Sequence, residues 1–440
     1  MKLRNLGAFG VAALFAVSAC SPSGATQTPR PSGAATPGAS ASGAAKGTVK
    51  IGVELPMSGG EAPNGQPTMR GVKLAVDEAN AKGGIGGYML ELTVKDDAVN
   101  GKNNPEQGAK NMTDLVADEA VVGVVGPFNS AVARVQIPIT NDAGLLQCSP
   151  ANTNEGLTKP EFGALTFRKN FPDRINYIRV ATTDDIQGPA GAAYAFNDLK
   201  TKNALIIDDE TTFGKGVADN FQKEWEKLGG TVAQRVPANK DTTNFVPLLT
   251  AAKDKNPDVV YYGGVTTSGG GLMAKQMEQA GLGGIPVVGP DGILDGSGAV
   301  ASSFIGIAGA KTNGHSTVAA IGEFPAKADF DARFKAAFAA DAEFANPGAY
   351  SGPGYACATV ILKSLEEAAK TATDMKSLRE GVRAYATNPA NSFDTVLGKT
   401  SFDKNGDNNQ KFISFYKVDP AGADGKGAWV YVKQQDFGAK

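Results

Sequence analysis

The stretch TVKIGVELPMSGGEAPNGQPTMRGVKLAVDEANAKGG, residues 48–84, decides the fold class. Apolar and polar side chains alternate over its first eight residues, which predicts a β-strand. After a glycine-rich loop, apolar residues recur at helical spacing until Gly83 and Gly84 end the predicted helix. The apolar positions are Val49, Ile51, Val53 and Leu55 in the strand and Met69, Val72, Val76 and Ala79 in the helix. A strand that leads into a helix is the repeating unit of a parallel α/β sheet.

The same rhythm continues along the rest of the chain. Further strands are predicted at residues 90–94, 121–125, 204–207 and 259–262, and further helices at 130–142, 187–194 and 217–228. Phe330, Phe334 and Phe338 stand at four-residue spacing and predict the buried face of another helix. A chain of 440 residues is too long for one ordinary domain, so we expect an α/β protein with two lobes.

Two predicted strands end in the same way, which indicates that the two lobes are related. The first ends in Val124-Val125-Gly126-Pro127 and the second in Val287-Val288-Gly289-Pro290. Ligands bind at the carboxyl ends of the strands in parallel sheets, so two such ends facing each other would form a cleft between lobes. The alternative is that Gly-Pro only ends each strand.

The composition excludes several classes of function. The chain has 43 Lys and Arg against 45 Asp and Glu, a net charge of −2, and so lacks the basic surface expected for a nucleic-acid partner. Its single histidine, His315, excludes any metal centre built on two histidines. No nucleophile-and-base pair, phosphate loop or dinucleotide motif is found, so we predict no enzyme activity, no metal and no cofactor.

The first residues predict where the protein works. Lys2 and Arg4 precede an apolar segment at 6–16 that is too short to span a bilayer, so residues 1–19 are predicted to be a signal peptide. The small residues before Cys20 resemble a bacterial lipobox, in which the cysteine is diacylated. Residues 20–47 are then the lipidated cysteine and a flexible linker, since this segment cannot build a core. We expect an extracytoplasmic lipoprotein anchored to the cell membrane; the alternative is a secretory signal with an incidental cysteine.

Several short motifs support a family resemblance through their order along the chain. They are Lys50-Ile51-Gly52-Val53, Asn80-Ala81-Lys82-Gly83-Gly84-Ile85-Gly86-Gly87, Lys95-Asp96-Asp97, Ser149-Pro150-Ala151, Gln187-Gly188-Pro189, Val260-Tyr261-Tyr262-Gly263-Gly264 and Asp394-Thr395-Val396-Leu397-Gly398. Each motif is weak alone. In this order they resemble the periplasmic leucine/isoleucine/valine-binding proteins of branched-chain amino-acid ABC transporters, over residues 49–431.

This resemblance implies two doubly wound lobes joined by a hinge of three crossovers, the type I periplasmic binding protein fold. The crossovers are expected near residues 184–187, 314–316 and 403–411. Lobe 1 would then comprise residues 48–184 and 316–405, and lobe 2 residues 185–315 and 406–440.

The implied function is capture of a small amino-acid-like ligand between the lobes and its delivery to a transporter permease. Two alternatives stay open at this point. One is binding of an amide, urea or another small polar solute, and the other is a ligand-sensing domain for a membrane signalling partner.

The family's positions for the amino-acid head group fall on four residues, Ser130, Ala151, Thr153 and Asp291. Ser130 stands where a helix is predicted to begin, so its hydroxyl and the free amides beside it suit a carboxylate. Asp291 and the Ala151 carbonyl would accept hydrogen bonds from an ammonium group. From the residues alone, Asp291 could instead be a turn residue in Pro-Asp-Gly, and Ser130 a plain helix N-cap.

Other positions depart from the family pattern. Phe213 keeps an aromatic ring but lacks a phenolic hydroxyl, and Asn64 and Val265 stand where the family has aromatic walls. Asp291 is one methylene shorter than the family's glutamate. The resemblance therefore supports an amino-acid head group and leaves the ligand side chain open.

The cysteines depart from the family pattern as well. The positions of the family's disulfide are Val99 and Asn129 here. We therefore expect Cys148 and Cys357 to be buried free thiols, with a disulfide between them left open.

Overall fold

The computed structural model describes residues 46–341 and 343–438. The predicted signal peptide, Cys20 and nearly all of the predicted linker therefore lie outside the described residues. Within the described ranges, no helix is both long and apolar enough to cross a membrane.

Strands and helices alternate over most of the chain. In chain order the strands are β1 Gly47–Leu55, β2 Tyr88–Asp96, β3 Ala98–Val99, β4 Lys102–Asn103, β5 Val121–Val125, β6 Gln147–Ser149, β7 Tyr177–Arg179, β8 Asn203–Asp208, β9 Thr231–Pro237, β10 Val259–Gly263, β11 Val287–Gly289, β12 Gly314–Val318, β13 Phe393–Thr395, β14 Gly398–Thr400, β15 Phe412–Asp419 and β16 Ala428–Asp436. The helices are α1 Ala62–Ala81, α2 Pro105–Ala117, α3 Ser130–Ala143, α4 Asp184–Ala193, α5 Thr212–Lys227, α6 Val246–Lys253, α7 Gly270–Met277, α8 Phe304–Ala308, α9 Lys327–Ala337, α10 Ser351–Ala368 and α11 Met375–Ala386.

The first sheet has the order β2-β1-β5-β6-β7, and all its neighbouring strands are parallel. The strand predicted from residues 48–55 is confirmed as β1, and its four apolar side chains are fully buried. The predicted helix is confirmed as α1, which packs against α10. At their contact, a Cβ on Gly71 would lie 2.1 Å from the Ser351 carbonyl oxygen, so only glycine permits this approach.

The second sheet has the order β16-β15-β12-β11-β10-β8-β9. Strands β8 to β12 are parallel to one another, whereas β15 and β16 join the edge as antiparallel strands. One parallel sheet and one mostly parallel sheet, with helices between their strands, confirm the predicted α/β class. The stripe at Phe330, Phe334 and Phe338 is confirmed as a helix face, since the first two rings are buried and the third packs against the core.

Segments that connect the two sheets lie side by side. The Thr182 amide donates to the Ala319 carbonyl at 2.9 Å, and the Thr182 hydroxyl donates to the Phe412 carbonyl at 3.0 Å. The second crossover differs from its predicted position, because β12 pairs within the second sheet as far as Val318. The chain therefore leaves the second sheet after Val318, rather than at residues 314–316. The predicted lobe boundaries otherwise stay predictions.

The expectation of free thiols is wrong, because Cys148 and Cys357 form a disulfide. Cys148 lies on β6 and Cys357 on α10, and both are fully buried. Their sequence separation of 209 residues left no local signal for the pairing. The bond fixes α10 to the sheet it covers.

We expect the double variant Cys148→Ala/Cys357→Ala to be less stable by about 2–4 kcal/mol, because a long cross-linked loop restricts the unfolded chain. Urea unfolding of the variant and of the native protein, with and without a reductant, measures the difference. A native protein whose unfolding midpoint does not change on full reduction would contradict this expectation.

Two carboxyl groups are buried together at the ends of β1 and β2. Glu54 and Asp97 are both fully buried, and Asn111 donates to Glu54 Oε1 at 3.3 Å. Among the described residues, Glu54 Oε2 and both oxygens of Asp97 have no hydrogen-bond partner. Burial raises the pKa of Glu54 to about 7, and burial together with the neighbouring Glu54 raises the pKa of Asp97. The pair therefore holds a proton close to neutral pH.

We expect Glu54→Gln to flatten the pH dependence of stability. The pKa of Glu54 is raised on folding, so its favourable contribution is complete below the unfolded pKa of about 4.3 and is lost as the pH rises through about 7. Urea unfolding across this range should show a fall of about 1–3 kcal/mol in the native protein and a smaller fall in the variant, in which burial of Asp97 alone raises a pKa. Glu119→Gln, at an exposed position, is the control. An unchanged slope in Glu54→Gln would disprove the assignment.

Candidate functional site

A small cavity lies at the carboxyl ends of strands from both sheets. Its lining consists of Phe128, Asn129, Ser130, Ala151, Thr153, Phe213, Val265, Asp291 and Gly292. The structure thus brings together six of the seven predicted ligand residues: Ser130, Ala151, Thr153, Phe213, Val265 and Asp291. The cavity volume is about 20 Å³, which is room for a water molecule or two.

Asn64 is the predicted residue that does not line this cavity. It lies in the first turn of α1 and borders a larger cavity that is separate from the one around Asp291. The short amide of Asn64 therefore replaces the family's aromatic wall at a position outside the small cavity.

The wall contributed by the first sheet offers free backbone amides. Ser130 is the first residue of α3, and Asn129 rather than Ser130 is the N-cap. The amides of Val132 and Ala133 both donate to the Asn129 carbonyl at 3.1 Å. In the described chain, the amides of Ser130 and Ala131 have no acceptor, as expected for the first residues of a helix. This end of α3 therefore carries partial positive charge.

The loop that carries Ala151 and Thr153 is held in place by buried hydrogen bonds. The Ser149 hydroxyl donates to the Pro127 carbonyl at 2.7 Å and accepts from the amides of Ala151 and Asn152 at 3.2 and 2.9 Å. Thr153 is 1% exposed. The loop is thus set against the start of α3 before any ligand binds.

The wall contributed by the second sheet carries Asp291, directly after β11. Asp291 is 4% exposed, and its Oδ1 accepts from Gln187 Nε2 at 2.8 Å. Its Oδ2 accepts a hydrogen bond from the Tyr350 hydroxyl. Burial raises the pKa of Asp291 to about 6, an effect that these two hydrogen bonds limit. Asp291 is therefore mostly ionised at neutral pH.

Gln187 and Tyr350 contact Asp291 and are absent from the residues predicted for the site. Gln187 also donates to the Thr317 carbonyl at 2.7 Å, and Tyr350 packs edge-on against Phe128 with ring centroids 4.8 Å apart. Gln187 stands in one of the motifs of the family resemblance, so a signal for it existed. Tyr350 follows a loop and precedes α10, and nothing in the local pattern marked it.

Asp184 is a second buried acid whose pKa responds to the charge of Asp291. Asp184 is fully buried, and neither of its carboxyl oxygens has a hydrogen-bond partner among the described residues. Burial, then the charges of Glu155 and Asp291, raise the pKa of Asp184 well above its usual value. The negative charge of Asp291 thus disfavours ionisation of Asp184.

The two sides of the cleft also touch at its rim. Thr267 Oγ1 donates to Glu61 Oε1 at 2.6 Å, and Lys102 Nζ lies 2.9 Å from Asp241 Oδ1. Arg134 donates to Thr212 Oγ1 at 3.2 Å. The structure therefore has the lobes in contact around the small cavity.

Comparison with known proteins agrees with this arrangement. A family model for periplasmic binding proteins matches residues 48–426. The Leu/Ile/Val-binding protein homolog 1 of Brucella suis biovar 1 (strain 1330) is 30% identical over 394 residues, which cover 89% of this chain and 95% of the relative.

Two solved structures have the same fold. The branched-chain amino acid transporter substrate-binding protein LivJ from Streptococcus pneumoniae, in complex with isoleucine, has a TM-score of 0.70 at 24% identity and covers 88% of this chain and 99% of its own. A solute-binding protein of an ABC transporter from R. palustris, in complex with 4-hydroxybenzoate, has a TM-score of 0.70 at 19% identity and covers 88% and 97%. The predicted type I periplasmic binding protein fold is thereby confirmed. The chain belongs to the periplasmic binding protein family, and it is an extracytoplasmic solute-binding protein.

Proposed function

We propose that the protein binds a small α-amino acid between its lobes and delivers it to the permease of an ABC transporter. The observation that carries this proposal is the composition of the small cavity. Free helix amides and the residues Ser130 and Thr153 line one side, and the carboxylate of Asp291 lies on the other. These groups match the two charges of an amino-acid head group.

The carboxylate of the ligand would lie at the start of α3. The free amides of Ser130 and Ala131 donate hydrogen bonds there, and the positive end of the helix adds attraction. The ammonium group would donate to Asp291 and to the Ala151 carbonyl. Such charge-assisted bonds are the stronger ones inside a cleft that excludes water.

The ligand side chain would lie against Phe213 and Val265, which give the cavity an apolar wall. An aliphatic side chain suits this wall, and the Brucella relative is named for leucine, isoleucine and valine. The R. palustris neighbour bound 4-hydroxybenzoate, which has a carboxylate but no ammonium group. An aromatic acid of that kind would leave the buried Asp291 without a cationic partner, which is costly. We therefore propose an aliphatic amino acid rather than an aromatic acid.

Binding would involve movement of the lobes. A cavity of about 20 Å³ cannot admit an amino acid until the lobes separate. A ligand that contacts Ser130 and Asp291 together then favours the closed arrangement, which the permease would recognise. The ligand would be released unchanged, because transport requires no covalent step.

We also propose that Cys20 is lipidated and holds the protein at the outer face of the cell membrane. The short apolar segment, the small residues before Cys20 and the linker at 20–47 support this anchor. Metabolic labelling with palmitate should mark the native protein and not the variant Cys20→Ala. Equal labelling of both would disprove the anchor.

A thermal-shift screen of the chain without residues 1–20 tests the ligand class. We expect aliphatic L-amino acids to stabilise the protein, by about 4 kcal/mol at a concentration one thousand times the Kd. Benzoate, 4-hydroxybenzoate, acetamide and urea should produce no shift. Stabilisation by a benzoate or an amide, with none by any amino acid, would overturn the proposal.

A further inference from the structure

The structure contains a second and much larger cavity, which shares no lining residue with the small one. Its volume is about 440 Å³, within the range of small-molecule sites. It is bordered by the start of α1, the loop after β11, the chain between β12 and α9, and the edge strands β15 and β16. Segments that belong to both sheets thus enclose it.

Aromatic rings form much of its lining. They are Phe324, Phe330, Tyr416, Trp429 and Tyr431. Tyr416 and Tyr431 meet edge to face with centroids 5.8 Å apart, and Phe324 and Phe330 do so at 6.1 Å. Tyr431 is 42% exposed, so its ring is accessible to a ligand. Aromatic faces attract cations through the quadrupole of the ring.

The charged groups around this cavity are mostly acidic. Asp295, Glu323 and Asp331 line it together with one base, Lys327. Lys327 pairs with Asp331 at 2.6 Å, which neutralises one carboxylate. Glu323 is exposed, and Gln434 bonds its backbone, but its carboxylate has no ion-pair or hydrogen-bond partner within residues 46–341 and 343–438. The cavity therefore keeps negative charge next to its aromatic rings.

The carboxylate of Glu323 lies close enough to the tyrosines to influence both. Burial raises the pKa of Tyr416 and of Tyr431, and the charge of Glu323 raises both further. Trp429 contributes its ring to this lining, while its Nε1–H is buried away from solvent.

We propose that this cavity is a second binding site, and that it takes a small organic cation. The cation would lie against Tyr416, Tyr431 and the Glu323 carboxylate. Anionic ligands are disfavoured by the acidic lining. The site is distinct from the small cavity, since Asn64 is the only one of the seven predicted ligand residues that borders it.

Choline is a suitable probe, because it carries a quaternary ammonium group. Its uncharged isostere, 3,3-dimethylbutan-1-ol, has the same shape without the charge. We expect calorimetric titration of the full chain to show saturable binding of choline, with the isostere at least about tenfold weaker. Tyr431→Ala and Glu323→Gln should each weaken choline binding by about tenfold.

Matched variants separate a local effect from misfolding. Val432→Ala alters the neighbouring residue of β16, which is 39% exposed and does not line the cavity, so choline binding should not change. Asp291→Asn should also leave choline binding unchanged, whatever its effect on amino acids. Absence of choline binding, equal binding of the isostere, loss in Val432→Ala, or loss in Asp291→Asn would each overturn the proposal.

Discussion

We expect Asp407→Asn to lower the free energy of unfolding by about 3–5 kcal/mol, because it leaves a buried arginine without its counter-charge. Arg179 and Asp407 are both fully buried, and Arg179 Nε donates to Asp407 Oδ1 at 2.7 Å. Arg179 Nη1 also donates to the Asn154 carbonyl at 2.7 Å, and Nη2 donates to Thr158. The pair joins β7 to the chain that returns toward the second sheet. Urea unfolding at neutral pH measures the loss.

The buried Arg179–Asp407 pair should also change how the stability of the protein depends on pH. Burial alone would raise the pKa of Asp407, but the charge and hydrogen bonds of Arg179 hold it below its usual value. A pKa lowered on folding contributes stability above the unfolded value of about 3.9, and this stability is lost as the pH falls through the folded pKa. Asp198→Asn is the control, since its ion pair with Lys433 is exposed and should be worth less than about 1 kcal/mol. Equal losses in the two variants would contradict the importance of the buried pair.

We expect Asp291→Asn to weaken amino-acid binding by about 2–5 kcal/mol, at least about 30-fold in Kd. The variant keeps the shape of the side chain but removes the charge that faces the ligand ammonium. Because the pKa of Asp291 is about 6 in the unliganded protein, affinity should fall as the pH drops below this value. Calorimetric titration at several pH values should show this fall in the native protein and not in the variant.

Asp295→Asn is the matched control for this experiment. Asp295 lies four residues further along the chain and is also buried, and burial raises its pKa to about 7. It borders the larger cavity and accepts from the Phe304 amide at 2.8 Å, which asparagine can still do. The Asp295→Asn variant should bind amino acids with the same affinity as the native protein. An Asp291→Asn variant with native affinity would remove Asp291 from the binding site.

The fold class could be predicted because its signals are local. The alternation at residues 48–55 and the helical spacing that follows produce β1 and α1, and each pattern depends only on neighbours along the chain. No comparable local pattern in the sequence predicted the edge strands β15 and β16 or the end of β12. The second crossover, placed from the family resemblance, lies a few residues later because β12 pairs with the distant strand β15 as far as Val318.

The site could be predicted only in part, for a related reason. Ser130, Thr153 and Asp291 were assigned from the family resemblance, since no spacing rule joins residues so far apart in the chain. Gln187 and Tyr350 contact Asp291 only after folding brings α4 and the start of α10 beside β11. The Cys148–Cys357 bond and the Arg179–Asp407 pair depend on similarly distant contacts.

A crystal structure of the protein with the amino acid that gives the largest thermal shift tests the central claim most directly. The predicted result places the ligand carboxylate within hydrogen-bond distance of the Ser130 and Ala131 amides, and its ammonium within hydrogen-bond distance of Asp291. A ligand bound away from Asp291, or with its ammonium facing α3, would contradict the account.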